Sequence, residues 1–207
     1  MTSELKQLIN EAINEVNKHP KGELILPLRK KIYKLFGEHK EDEVGHAVLT
    51  QGLLVRTELA ILCVNKVMPI WNSVLADDTT PVTILENIRD YIAGKQTWDY
   101  LWEIPNSYCT VLDNYIINNN YDNAIYVGYA SVNALYVVLN DEDFDEDNEE
   151  LLDSDLDPYT WDTAFYSALA YSESELYDKE TKIQKRREFW LWYLNEAIAK
   201  ALQILLV

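Results

Sequence analysis

Leu53-Leu54-Val55-Arg56-Thr57-Glu58-Leu59-Ala60-Ile61-Leu62-Cys63-Val64-Asn65-Lys66-Val67-Met68 is the stretch that decides the fold. It sits inside a helical pattern running from Ala47 to Ala76 and is apolar nearly all the way round. A helix with no wet face belongs at the centre of a helical core, not on its surface. Pro69 is expected to kink or break this helix, because proline removes one intrahelical hydrogen bond and clashes with the preceding turn.

Outward from this centre the chain reads as helix after helix. Upstream, Thr2 or Ser3 caps a first helix with Leu5, Leu8, Ile9, Ala12, Ile13 and Val16 on one face, which stops before Pro20 and Gly22. A second helix runs from Leu24 to Phe36 and ends at Gly37. Its outer face carries the basic cluster Arg29-Lys30-Lys31 and Lys34, placed to fold back toward the acidic segment described below.

Downstream, Asp77-Asp78-Thr79-Thr80-Pro81 is a turn that starts the next helix, with Thr80 as N-cap and Pro81 in the first turn, and that helix closes at Gly94. Thr97 to about Asn118 reads as a helix interrupted near Pro105. Asp122 caps a helix to Leu139 in which Gly128 and the alanines permit close approach of a neighbour. The region from Ala124 to Val138 is the only place where a strand competes. Pro158 opens a helix from Tyr159 to about Ser172, and Asp178 begins the last and longest one, reaching nearly to Val207. The expectation is an all-α fold: one domain over residues 1–207, a bundle of seven to eight helices with a long acidic loop at 140–157.

Composition agrees. With 207 residues, 48% hydrophobic, six Trp and 14 Tyr against only six Gly and six Pro, the chain is globular and helix-rich. A domain of this length buries roughly 70% of its unfolded surface. Cys63 and Cys109 each sit in an apolar helical pattern without C-x-x-C spacing, which reads as two buried, reduced thiols. Neither a secretory leader nor an apolar run of about 20 residues is visible, so the expected location is the cytoplasm.

Charge is divided unevenly. From Gln96 to Asp178 there is no Lys, Arg or His, yet 19 of the 35 acidic residues lie there, 11 of them between Asp141 and Asp157. Like charges held together oppose the compact state, so stability alone does not account for this distribution. A net charge of −17 excludes nucleic-acid and anionic-membrane binding as first readings, since both need positive charge to meet phosphate. Eleven of the 14 tyrosines fall in the same base-free segment, and tyrosine supplies rigid amphipathic contact area. The candidate contact residues for a basic partner are Asp141, Glu142, Asp143, Asp145, Glu146, Asp147, Glu149 and Glu150, with Tyr136 and Tyr159 beside them.

Signatures of catalysis are missing: no Gly-x-Ser-x-Gly elbow, no phosphate-binding glycine loop, no His-Glu-x-x-His. Glu43 and His46 have Glu-x-x-His spacing, but a di-iron bundle needs that motif twice with two further carboxylates. An EF-hand frame begun at Asp143 reaches Ser154 where a bidentate Glu is required. No cofactor and no metal site is expected, and the chain reads as a binding protein. A regulatory or scaffold domain with a solubilising acidic loop, and a bundle enzyme using carboxylates and a metal, remain the alternatives.

Arg186-Arg187-Glu188-Phe189-Trp190-Leu191-Trp192-Tyr193-Leu194-Asn195-Glu196-Ala197-Ile198 resembles the terminal helix of the Imm5-type immunity proteins that accompany bacterial polymorphic toxins. A second piece, Val67-Met68-Pro69-Ile70-Trp71 followed by Asp77-Asp78-Thr79-Thr80-Pro81, is similar to the same family. The resemblance implies a non-enzymatic protein that occupies and neutralises a cognate toxin, commonly a basic nuclease. That agrees with the charge argument. The resemblance assigns no binding residues.

Overall fold

The computed structural model describes residues 1–119, 122–141, 151–173 and 182–206. Eight helices are present among them and no strand; Glu41 and Ala47 form an isolated antiparallel bridge. They are α1 (Ser3–Lys18), α2 (Leu26–Lys34), α3 (Gln51–Val74), α4 (Thr80–Ile92), α5 (Trp98–Asn119), α6 (Asp122–Asn140), α7 (Thr163–Ser172) and α8. The last comprises Ile183–Trp192, a π-helical turn Tyr193–Ala197 and Ile198–Ala201, continued by a 3₁₀ turn Leu202–Leu206.

The stretch that is apolar all round takes the central position. Leu53, Val55, Leu59, Ile61, Cys63, Val64, Val67 and Trp71 of α3 are buried, and α3 packs most extensively on α6. The segment in which a strand competes is helix α6, whose Ala124, Val127, Ala130, Ala134, Leu135 and Val138 are all buried. α4, α5 and α7 pack on α6, and α8 packs on α7, α3 and α1. Gly128 permits the α5–α6 approach, because a Cβ there would meet a methyl of Leu112 at 2.4 Å.

Neither proline breaks its helix. α3 passes through Pro69 and α5 through Pro105. Each helix has buried side chains beyond its proline: Trp71 in α3, and Tyr108 and Leu112 in α5. Their burial offsets the local loss of one hydrogen bond. Helix α3 also starts later than its apolar pattern, because the Thr50 hydroxyl accepts the Leu53 N–H at 3.1 Å and sets the cap. Likewise α7 starts at Thr163, capped by Asp162, while Pro158 begins only a short 3₁₀ turn. The expected start of the last helix at Asp178 lies outside the described residues.

The pieces of α8 that carry the resemblance work as structure. Arg187 donates to the carbonyls of Val16 (3.2 Å) and His19 (3.0 Å), satisfying the end of α1, and Arg186 pairs with Glu23 at 2.8 Å. Gly22 lets the two helices meet: its φ is +66°, and a Cβ would stand 2.7 Å from the Ile183 carbonyl. Phe189, Trp190, Tyr193, Leu194, Ala197 and Ile198 are buried.

Candidate functional site

Two arginines from the balanced part of the chain are buried against carboxylates of the acidic part. Arg56 of α3 is fully buried and grips Asp141 through Nε–H and Nη2–H, both at 2.6 Å, while Nη1–H donates to the carbonyls of Tyr33 and Gly37, each at 3.0 Å. His39 approaches the same carboxylate at 3.1 Å. Asp141 itself adopts a left-handed conformation, φ 55°, just past the end of α6. Aspartate tolerates that region better than most side chains.

Arg29 of α2 is also fully buried. It forks onto both oxygens of Asp153, reaches Asp162 through Nε–H at 2.7 Å and donates to the Leu24 carbonyl at 2.6 Å. The rings of Phe165 and Trp190 lie 5.5 and 5.2 Å from its guanidinium carbon. Burial works against this charge, but Asp153 and then Asp162 outweigh it and hold the arginine pKa above its usual range. The basic cluster on α2 is therefore not the outer face its spacing predicts. Arg29 and Lys30 are buried and only Lys31 is exposed.

These pairs fix the two sides of the segment expected to meet a partner. Asp141 is 3% exposed and its carboxylate is engaged by Arg56, which gives it an interior role. Glu142, Asp143, Asp145, Glu146, Asp147, Glu149 and Glu150 lie outside the described residues. The expected long loop at 140–157 is described only at its ends, where Asp153 is buried and Asp155 and Asp157 are exposed.

Tyr136 and Tyr159, expected beside the acidic stretch, belong to two different clusters. Tyr159 is 62% exposed and donates to Asp113 of α5 at 3.3 Å. Tyr129 donates to the same oxygen at 2.5 Å and stacks on Tyr166 with centroids 5.4 Å apart. The Asp113 carboxylate, followed by partial burial, raises the Tyr159 pKa, so this hydroxyl stays neutral and a donor.

Tyr136 stands seven residues along α6 from Tyr129, roughly 10 Å by helical rise. It meets the indole of Trp102 edge to face at 6.0 Å. Trp102 stacks on Trp98 (4.7 Å, 16°), and Trp98 stacks on His46 (4.0 Å, 10°). The result is an aromatic ladder crossing from the 41–47 turn to α5 and α6. Its footing is rigid: the Leu139 carbonyl at the end of α6 accepts both the Trp98 indole N–H and the Ala47 N–H at 3.2 Å. Asp42 accepts the N–H groups of Val44 and His46 at 2.9 Å each, and that of His46 leads in holding its carboxyl below the ordinary range.

Sequence reasoning missed this ladder. Its signal was the i, i+4 pair Trp98 and Trp102, interleaved with Asp99 and Glu103. His46, singled out for a metal motif with Glu43, instead stacks on Trp98 and lies 3.8 Å from Asp42. Among the described residues no group of three or more His, Cys, Asp or Glu is arranged to hold a metal, and no helix is long and apolar enough to cross a membrane.

The family model for immunity protein Imm5 matches residues 9–200. No curated protein matches the chain.

Proposed function

The chain belongs to the Imm5 immunity-protein family, whose members neutralise toxins without enzymatic turnover, and from that premise we propose that it blocks a basic toxin through its acidic, tyrosine-rich half. Binding is stoichiometric, and inhibition is occlusion of the toxin. The contact surface comprises Glu142, Asp143, Asp145, Glu146, Asp147, Glu149 and Glu150 with Tyr136 and Tyr159. Asp141, engaged by Arg56, anchors the segment and is left out of the contact.

The observation that carries this reading is the charge distribution: 19 acidic residues and no base between Gln96 and Asp178. Arg29 and Arg56 answer Asp141, Asp153 and Asp162, and Lys185 pairs with Glu173. Among the described residues, Asp99, Glu103, Asp155 and Asp157 of the same segment are exposed to solvent. The remaining field attracts a cation, and steered association of this kind reaches on the order of 10⁸ to 10⁹ M⁻¹s⁻¹ at low salt.

The test uses the toxin domain encoded beside the immunity gene. Coexpression of this chain is expected to restore growth to cells making that toxin. Binding of the purified pair should weaken steeply with salt, and again in the triple variant Asp143→Asn, Asp145→Asn, Asp147→Asn. Salt-independent affinity that ignores the triple variant removes the electrostatic mechanism; absence of rescue removes the pairing with that toxin.

A further inference from the structure

The stacked rings of the aromatic ladder end on Trp102, the one exposed ring among the six tryptophans. Inside the molecule, aromatic rings are met by the chain's own cations: Arg29 over Phe165 and Trp190, and Lys66 over Tyr171 and Trp192 at 5.5 and 4.9 Å. Trp98 and Trp102 lie in the base-free half, and among the described residues no cation is seated over either. Trp102, the end of the stack away from His46, is 36% exposed, a large area for so costly a side chain to leave in water.

Its neighbours on α5 are acidic. Asp99 stands three residues before Trp102 and so shares its helix face, Glu103 follows it directly, and both are exposed. Asp99 and Glu103 are also an i, i+4 pair of like charge, which destabilises a helix and has no basic side chain within the segment to relieve it. A flat π surface, two carboxylates beside it and no resident cation describe a seat for a planar cation. The guanidinium group fits it better than an ammonium: it stacks on indole, is weakly hydrated and offers a fork of donors to carboxylates. Because Trp98 is fixed to the Leu139 carbonyl and flanked by His46, the seat is formed before anything binds, which lowers the ordering cost of association.

We propose that Trp102, backed by Trp98 and rimmed by Asp99 and Glu103, is the anchor that receives an arginine side chain of the toxin. This rests on the reading of the chain as an inhibitor of a basic toxin, and it supplies a specific grip where the acidic segment supplies attraction. Tyrosine, tryptophan and arginine dominate the few residues that carry most of an interface's binding energy.

The experiment has two arms, each run on the full chain, on Trp102→Ala and on the double variant Asp99→Asn, Glu103→Gln, with circular dichroism to establish that each variant is folded. In the first, calorimetry measures binding to the catalytically inactivated toxin domain encoded beside the gene. Trp102→Ala is expected to weaken it by at least about 30-fold, the loss typical of an interface hot spot. In the second, octa-arginine and octa-lysine peptides of equal charge are compared. The unaltered chain should prefer octa-arginine, and Trp102→Ala should abolish the preference while leaving the charge-driven component.

Toxin affinity within about threefold of the unaltered chain in Trp102→Ala, or an arginine preference that survives it, overturns the anchor and leaves the inhibitory function standing. Failure of the unaltered chain to bind the toxin domain overturns the function and the anchor together.

Discussion

Two places in the acidic half receive opposite treatment. At the ends of the segment, Asp141 and Asp153 are buried on Arg56 and Arg29, their oxygens matched donor for donor. On the outer side of α5, Asp99 and Glu103 stay in solvent beside an exposed indole. The same chemical group holds the fold together in one place and is left open in the other. The difference shows that excess charge in this protein is sorted by burial: a carboxylate removed from water must have its guanidinium, and one left in water need not.

The largest expected effect breaks the buried side of that contrast. Arg56→Ala leaves the buried Asp141 carboxylate without its guanidinium, with His39 alone beside it, and should lower unfolding free energy by about 3–5 kcal/mol. Arg29→Ala, which strands Asp153 and takes one partner from Asp162, belongs at the upper end of that range. Urea unfolding followed by circular dichroism measures both. The paired replacement Arg56→Leu with Asp141→Asn should recover much of the loss, because a neutral side chain that tolerates φ 55° no longer needs a counter-charge.

On the exposed side the same measurement should move far less. Trp102→Ala removes a partly exposed ring and should cost no more than about 1–2 kcal/mol of stability, whatever it does to binding. The double variant Asp99→Asn, Glu103→Gln relieves one like-charge pair and should be neutral or stabilising by roughly 0.2–0.5 kcal/mol. A stability loss as large as that of Arg56→Ala in either variant would place the ladder among the structural contacts and erase the distinction.

The smallest effect is a pH dependence at the α1–α8 junction. Burial leads in lowering the His19 pKa, opposed by Glu23 and reinforced by Lys21, Arg186 and Arg187. The neutral ring also accepts the Glu23 N–H at 3.2 Å. With the folded value below the ordinary 6.5, the folded state disfavours the proton. The contribution is therefore present above pH 6.5 and is lost as pH falls through 6.5 toward the folded value. Denaturation midpoints between pH 7.5 and 5 should show this slope, and His19→Gln should flatten it.

Much of the architecture was legible. The all-round apolar pattern of α3 requires a central position, and Gly128 announces a close crossing. The helices expected to be kinked or broken at Pro69 and interrupted near Pro105 run on as helix, because a local rule about one hydrogen bond yields to the burial of Trp71 or of Tyr108 and Leu112 beyond it. The π-helical turn at Tyr193–Ala197 was likewise invisible; there Tyr193, buried, meets Tyr33 of α2 hydroxyl to hydroxyl at 3.2 Å. The candidate site was legible as charge and not as geometry. Tyr136 and Tyr159 both flank the acidic stretch in sequence but join different partners, Trp102 and Asp113, and Asp141 faces inward.

By itself the sequence determined the class of fold, the family and the separation of acidic from basic residues, since periodicity, motif text and composition are properties of the linear chain. Only the tertiary structure decided which carboxylates are buried on arginines and which indoles remain uncovered. Arg56 and Asp141 are 85 positions apart, Arg29 and Asp153 124, and nothing local marks them as partners. α3 packed on α6 brings the first pair together, and α2 against the Asp153–Asp155 turn before α7 brings the second, each burying a charge beside its opposite.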